Sequence, residues 1–236
     1  LGSLAQTSTT EKTLGIVTVR EKAESLEGKD SLRTTETNIG KGKQQLRDIP
    51  QSITVVTEKQ LDDRNLDTVK DALKQTAGIT FQAAEGGEED IRLRGFALST
   101  TGDIFVDGLR DPAFYDRDTF NLDRVELLRG SASMLFGRGS TGGAVNLVNK
   151  LPRLMNENQV DMTIGSYNHQ RVVGDFNQQT SESAAVRVSV MKTTADNNGA
   201  GSSLDKQGLA GSYRWGIGER DEFNASLYHL DNNNGI

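Results

Sequence analysis

The sequence predicts an α+β domain, a small mixed sheet with short helices, followed by antiparallel strands whose alternation fits either the beginning of an antiparallel transmembrane β-barrel or a soluble sheet. Three observations carry that prediction. Residues 46–152 combine short β-prone runs with one amphipathic helical segment and cluster their glycines at turns. Residues 153–236 alternate apolar and polar side chains in successive runs of about ten, as strands with one face to lipid and the other to a lumen do. Residues 1–45 are too polar to bury a core of their own.

Composition narrows the function classes. The chain has 236 residues, and 27 Lys and Arg against 33 Asp and Glu leave a net charge of −6, which argues against a nucleic-acid partner. It holds no cysteine, which removes disulfides, thiolate metal sites and cysteine nucleophiles together. No window approaches 18 apolar residues, so no transmembrane helix is expected. Barrel strands leave a far weaker hydropathy signal and are not excluded.

Leu1 to Ala5 ends in Ser3-Leu4-Ala5, a small-x-small pattern of the kind that precedes signal cleavage, so a signal-peptide remnant with a mature start at Gln6 is expected, a random linker being the alternative. Residues 6–45 form a tail rich in Thr, Lys, Glu, Gly and Ser. One β-prone island interrupts it, Thr13-Leu14-Gly15-Ile16-Val17-Thr18-Val19. A short run of this kind can be captured by a partner through strand addition, or can be a stray apolar patch.

Gln51 to Thr57 reads as a strand with Ile53 and Val55 on one face, and Thr57-x-x-Gln60 as a capping box for a short helix. A second helix over about Asp67 to Ala77 stacks Leu66, Val69, Leu73 and Ala77 on one side, with Gly78 as its stop. Ile79 to Ala83, Asp90 to Phe96 and Asp103 to Leu109 supply three more short strands. With Arg124 to Arg129 and Ala144 to Asn149 they suggest one mixed sheet with helices on one side.

Between the last two strands lie Gly137, Gly139, Gly142 and Gly143. Gly137 to Gly142 formally matches G-x-G-x-x-G, whose mechanism needs a strand before the loop and a helix after it. Here a strand follows, and neither a later acidic residue nor a P-loop lysine is in place, so nucleotide binding is disfavoured. A tight, backbone-lined loop accounts for the glycines.

The stretch RVELLRGSASMLFGRGSTGGAVNLVNK resembles the signature near the end of the plug domain of TonB-dependent outer-membrane receptors, departing from it at Ser131, where proline is usual. DIPQSITVVT from Asp48, IRLRGF from Ile91 and FVDGLRD from Phe105 resemble the family's other plug motifs, in the same order. The likeness covers residues 48–152 and is greatest to receptors for ferric siderophores, particularly catecholate types. It implies a tail at 1–45, a plug domain at 46–152 and the N-terminal strands of an incomplete barrel at 153–236.

The same resemblance implies function. Thr13 to Val19 would be the TonB box, engaged by TonB with ExbB and ExbD. The loop PAFYDRDTF from Pro112 would lie at the external apex of the plug, where siderophore docks. Its Phe114 and Tyr115, read as exposed, join Arg110 and Arg117 in an aromatic-plus-cation set suited to a flat anionic ligand; packing of the loop onto its own domain is the other reading. Arg94 and Arg129 match the arginines that meet glutamates on the inner barrel wall, here expected beyond Ile236. The location implied is the bacterial outer membrane. No cofactor is implied beyond ferric siderophore as cargo, and no enzymatic step.

The strand runs after Pro152 are regular. Val160, Met162 and Ile164 alternate with Asp161 and Thr163. Val172, Gly174 and Phe176 oppose Arg171 and Asp175, and Ala184, Val186, Val188 and Val190 oppose Ala185, Arg187 and Ser189. Leu209 to Ile217 and Phe223 to Leu227 continue the pattern. Room exists for roughly five strands, whereas a plugged transporter uses about 22, so the barrel looks truncated. Residues 231–236 read as a terminal loop. His169 and His229 stand apart in no metal-binding spacing, and no nucleophile elbow occurs, so the chain is not expected to be an enzyme. A soluble β-rich ligand-binding protein is the alternative that alternation alone permits.

Overall fold

The computed structural model describes residues 29–37, 39, 44–83, 89–98, 103–111, 115–131, 142–196 and 201–235. The island at 13–19, Phe114 and most of the glycine loop lie outside them.

The first elements among the described residues are a two-residue antiparallel ribbon, β1 (Glu36–Thr37) with β2 (Gln44–Gln45), and a 3-10 turn at Leu46–Asp48. Strand β3 (Ser52–Thr57) runs into helix α1 (Glu58–Asp63), where Thr57 N–H donates to Gln60 Oε1 at 3.2 Å, the back-reaching arm of the expected box. Helix α2 (Val69–Lys74) is capped by Thr68, whose hydroxyl accepts from Asp71 N–H at 3.1 Å. It is shorter than its periodicity suggests. Leu66, Val69 and Leu73 are buried, but Ala77 is exposed beyond the helix end, in the turn that Gly78 closes at φ +85°.

Three more strands follow, β4 (Ile79–Ala83), β5 (Glu89–Leu93) and β6 (Phe96–Ala97). Next come β7 (Ile104–Val106), β8 (Leu109–Arg110), β9 (Leu122–Arg129) and β10 (Gly143–Asn149). They do not build one sheet. A five-stranded sheet has the order β3-β9-β10-β7-β8, mixed because β10 pairs parallel with β7, while β4-β5-β6 form a separate three-stranded sheet. Two expected strands are broken by two-residue hairpins. Asp107 (φ 49°) and Gly108 (φ 78°) turn β7 into β8, and Arg94 with Gly95 does the same between β5 and β6. Consecutive positive φ angles match the strands' right-handed twist, and Asp-Gly satisfies them at little steric cost.

Period-2 patterning sorts β9 and β10 into two faces. Val125, Leu127, Val145 and Leu147 meet Leu61, Leu66, Val69, Leu73, Ile91 and Leu93 in the main core. Leu128 and Ala144 face the other way, against Ile39 and Phe105. Each fully buried aliphatic side chain contributes about 1.5–3 kcal/mol of transfer free energy. The two sheets approach where β10 begins. A Cβ on Gly142 would stand 2.6 Å from Leu93 O, and one on Gly143 would collide with the Leu128 carbonyl. The double glycine thus marks a crossing of backbones.

Residues 153–235 form one consecutive antiparallel sheet of β11 (Glu157–Ile164), β12 (Gln170–Gln179), β13 (Ala184–Asp196), β14 (Ser203–Trp215) and β15 (Phe223–Gly235). One face is apolar and open, with Val160, Met162 and Ile164 at 65%, 64% and 72% exposure, and Trp215 stacked on Phe223 at 6.0 Å. The opposite face buries Arg171, Asp175, Arg187, Ser189, Thr193 and Lys206 against the globular domain. Residues 231–235, expected as loop, are strand, because thirteen paired positions with β14 outweigh the local turn preference of Asp-Asn-Asn-Asn-Gly.

Candidate functional site

The segment after β8 was expected to present Arg110, Phe114, Tyr115 and Arg117 together. Arg110 is exposed, with its guanidinium 5.6 Å from the Phe105 ring centroid. Tyr115 is half-buried, and its hydroxyl donates to Asp111 Oδ2 at 3.2 Å. Arg117 is not at the surface. Its side chain is 2% exposed, donates from Nε and Nη2 to Asp111 Oδ2 at 3.1 and 3.0 Å, and lies 4.3 Å from the Tyr115 ring centroid. A guanidinium cannot be left buried without a counter-charge, and Asp111 supplies one. Arg110 and the edge of Tyr115 are therefore the described parts of the set within reach of a ligand, with Arg117 as the brace beneath them. Phe114 lies outside the described residues.

The family-like motifs meet one another inside the domain. Arg124 Nε donates to Glu126 Oε1 at 2.8 Å, Asn146 Nδ2 to Glu126 Oε2 at 2.9 Å, and Gly108 N–H to Asn146 Oδ1 at 2.9 Å. Asn149 closes the far side of the hairpin by donating from its backbone and side chain to Asp107 at 2.9 and 2.7 Å. Arg94 is exposed in its hairpin. Arg129 is held by neutral oxygens, donating to Ala77 O at 3.2 Å, Thr54 Oγ1 at 2.7 Å and Ser52 Oγ at 3.3 Å.

Charged contacts between the domain and the β11–β15 wall come from residues that the sequence reading passed over. Glu58 at the start of α1 pairs with Lys150 at 2.9 Å and Arg187 at 3.6 Å, and Asp175 pairs with Arg187 at 2.6 Å and Lys150 at 3.0 Å. All four side chains are buried. Farther along, Arg171 donates from Nη2 and Nη1 to the two Asp118 oxygens at 2.7 and 2.9 Å and pairs with Asp67 at 3.2 Å. Lys206 pairs with Asp116. Apart from Lys150 with Asp175, the polarity is the reverse of the one expected at Arg94 and Arg129, since wall cations Arg171, Arg187 and Lys206 receive carboxylates of the domain.

A cleft of about 190 Å³ lies between the domain and β11–β12, lined by Asp62, Asp67, Asp161, Lys150 and Arg171 among others. Burial raises the pKa of Asp62 and, against the pull of Arg171, that of Asp67. His169 Nε2 stands 3.6 Å from Asp67. Among the described residues no group of His, Asp and Glu is arranged to hold a metal ion.

Residues 45–144 match the family model described as TonB-dependent Receptor Plug Domain. The chain is 33% identical over 189 residues to the probable TonB-dependent receptor BfrD of Bordetella pertussis, covering 78% of the chain and 25% of that protein. It is 31% identical over 195 residues to the catecholate siderophore receptor Fiu of Escherichia coli K12, covering 79% and 25%. The crystal structure of the siderophore receptor PiuA from Acinetobacter baumannii superposes with a TM-score of 0.80 at 27% identity, over 87% of the chain and 30% of that structure. The chain spans about a quarter of the length of the curated relatives it matches.

Proposed function

Residues 45–144 are a plug domain of the TonB-dependent receptor family, and on that premise we propose that the chain is the tail, plug and first wall strands of a receptor that takes up ferric siderophore across the bacterial outer membrane. The observation that carries the reading is the docking of the plug, through Glu58 on Arg187, Asp116 on Lys206 and Asp118 on Arg171, onto the charged face of a five-stranded wall whose other face is apolar and open. A soluble β-rich binding protein has no use for that outer face.

In this reading ferric siderophore docks on the loops around Arg110 and Tyr115, with Phe114 of the same loop as a further contact. Arg110 supplies charge to an anionic ligand, and Tyr115 an aromatic edge. Residues 13–19 are the TonB box, taken up by TonB through strand addition, with ExbB and ExbD delivering the energy. The plug extends over 46–152. A catecholate ligand is favoured by the likeness to Fiu. The cargo is moved and no bond in it is broken.

The test is radiolabelled iron uptake by iron-starved cells in which the full-length receptor carrying this chain is the sole siderophore receptor. Uptake of a ferric catecholate that requires TonB is expected. Retention of the protein in the soluble fraction, with no uptake of any ferric siderophore, overturns the proposal.

A further inference from the structure

Residues 115–120 lie as an extended strap between the plug and the wall, and their side chains alternate. Tyr115, Arg117 and Thr119 belong to the plug. Tyr115 and Arg117 hold Asp111, while Thr119 donates from its backbone to Asp67 O at 3.1 Å and from its hydroxyl to Leu66 O at 2.7 Å. Asp116, Asp118 and Phe120 reach the wall, Asp116 also standing 4.0 Å from Lys70 of α2 through its other oxygen. Asp116 meets Lys206 of β14, Asp118 meets Arg171 of β12, and the Phe120 ring stacks on Tyr228 of β15 at 5.7 Å, in a cluster with Met191 and Ala210.

The floor of the Phe120 socket is Gly208. A Cβ there would stand 2.7 Å from two ring carbons of Phe120, well inside van der Waals contact, so only glycine lets the ring seat fully. Lys206, two residues earlier on the same face of β14, is buried against Asp116. The strap is thus fastened on alternate residues by two ion pairs and a stacked aromatic. Two of its plug-facing residues, Tyr115 and Arg117, brace Asp111, next to Arg110.

We propose that Asp116, Asp118 and Phe120 are positioning residues, which hang the Arg110–Tyr115 docking surface from the barrel wall. Affinity for an anionic siderophore is then set in part by Lys206, Gly208 and Tyr228, which touch the strap and not the ligand. The inference rests on the siderophore-docking reading above.

The experiment compares the full-length receptor with its Gly208→Ala variant and with Gly208→Ala combined with Phe120→Leu, which lacks the two clashing ring carbons. Two quantities are read, amide hydrogen exchange over 111–119 without ligand and the dissociation constant for a ferric catecholate siderophore. Gly208→Ala should speed the exchange and raise the dissociation constant about five- to tenfold, the scale of one lost aromatic contact. Both changes should reverse in the double variant. Exchange that does not change in Gly208→Ala overturns the anchoring itself. Faster exchange with unchanged affinity overturns the link to ligand, and points to failure of the docking reading at Arg110 and Tyr115. Should Gly208→Ala not reach the membrane, Phe120→Ala gives the same two readouts with the wall untouched.

Discussion

Asn146 on β10 donates from Nδ2 to Glu126 on β9 at 2.9 Å, and both side chains are fully buried. Glu126 also accepts from Arg124, and Asn146 accepts from Gly108, so the pair ties both ends of the stretch from Arg124 to Lys150 to the FVDGLRD motif. Replacing Glu126 by Ala leaves the Asn146 amide without its acceptor and removes one of the two carboxylates on Arg124, Asp123 being the other. A loss of about 3 kcal/mol is expected, the lower end for breaking a buried ion pair by removing one partner. Glu126→Gln, which keeps the shape, should cost less, about 1–3 kcal/mol. Urea unfolding of the plug domain measures both.

The main apolar cluster of the plug lies wholly within residues 46–152 and the second takes only Ile39 from outside them, while many of the plug's contacts with the wall are ion pairs. Residues 46–152 should therefore fold without the wall, because Glu58, Asp116 and Asp118 become solvated carboxylates when uncovered. The 236-residue chain alone should aggregate in plain buffer, since β11 and β15 offer unpaired strand edges beside an apolar face. Size-exclusion chromatography with and without detergent decides. A monodisperse, cooperatively melting monomer of the whole chain in plain buffer would overturn this expectation.

Burial raises the pKa of Asp67 more than Arg171 lowers it. The folded state therefore favours the protonated acid. Its stabilising contribution is complete below the unfolded value of about 3.9 and is lost as pH rises through the raised folded value. Asp71 is the opposite case. Burial raises its pKa, but hydrogen bonds from Lys74 and Thr68 outweigh that and lower it, so its contribution is lost as pH falls. Relative to Asp67→Asn, the unmodified receptor should gain melting temperature as pH falls from neutrality through the raised value. A difference that does not vary with pH counts against the assignment.

Val17→Pro should leave siderophore binding intact and abolish uptake, because proline removes a backbone donor and fixes φ in a segment that must add to a partner strand. Iron transport and ligand binding measured on the same cells test it. Normal uptake excludes residues 13–19 as the coupling segment.

Arg110→Ala with Tyr115→Ala should weaken siderophore binding by about 1–3 kcal/mol, the range for aromatic and cation-π contacts, at little cost in stability. Arg117→Ala should behave differently, because it leaves Asp111 without the cation that is buried against it. Its main effect should be a lower melting temperature. Titration calorimetry beside a thermal melt separates the two behaviours.

The strands were legible because β-branched and aromatic residues alternate with polar ones, and both the α1 box and the double glycine carry local signals. Sheet membership was not. Nothing local distinguishes a β4–β5 pair that joins the main sheet from one that stands apart, since pairing is decided by distant partners. Arg171 and Arg187 read only as polar, lumen-side residues, and Lys206 carries no local signal, until a plug is set against them. One signal was visible and went unused. Asp116, Asp118 and Phe120 alternate with Arg117 and Thr119, the pattern of a segment held from two sides. Arg117 was misplaced because a charged residue in a polar loop is ordinarily at the surface, and its counter-charge sits six positions earlier.

The outer face of the wall also carries a measure of depth. Val186 to Val190 on β13, Leu209 to Trp215 on β14 and Phe223 to Leu227 on β15 lie in register as one apolar band. Its upper rim is Lys192 paired with Asp205 and Gln207 donating to Asp231 at 3.0 Å, and its lower rim is the Trp215–Phe223 stack. Aromatic rings of that kind rest at the boundary between lipid tails and headgroups, and charged pairs stay in water. The bilayer thus fixes the height of β14, and Lys206 stands at the level of the charged rim. Since Lys206 and its neighbours hold the strap, the depth at which the wall sits in lipid also sets the height of residues 115–120.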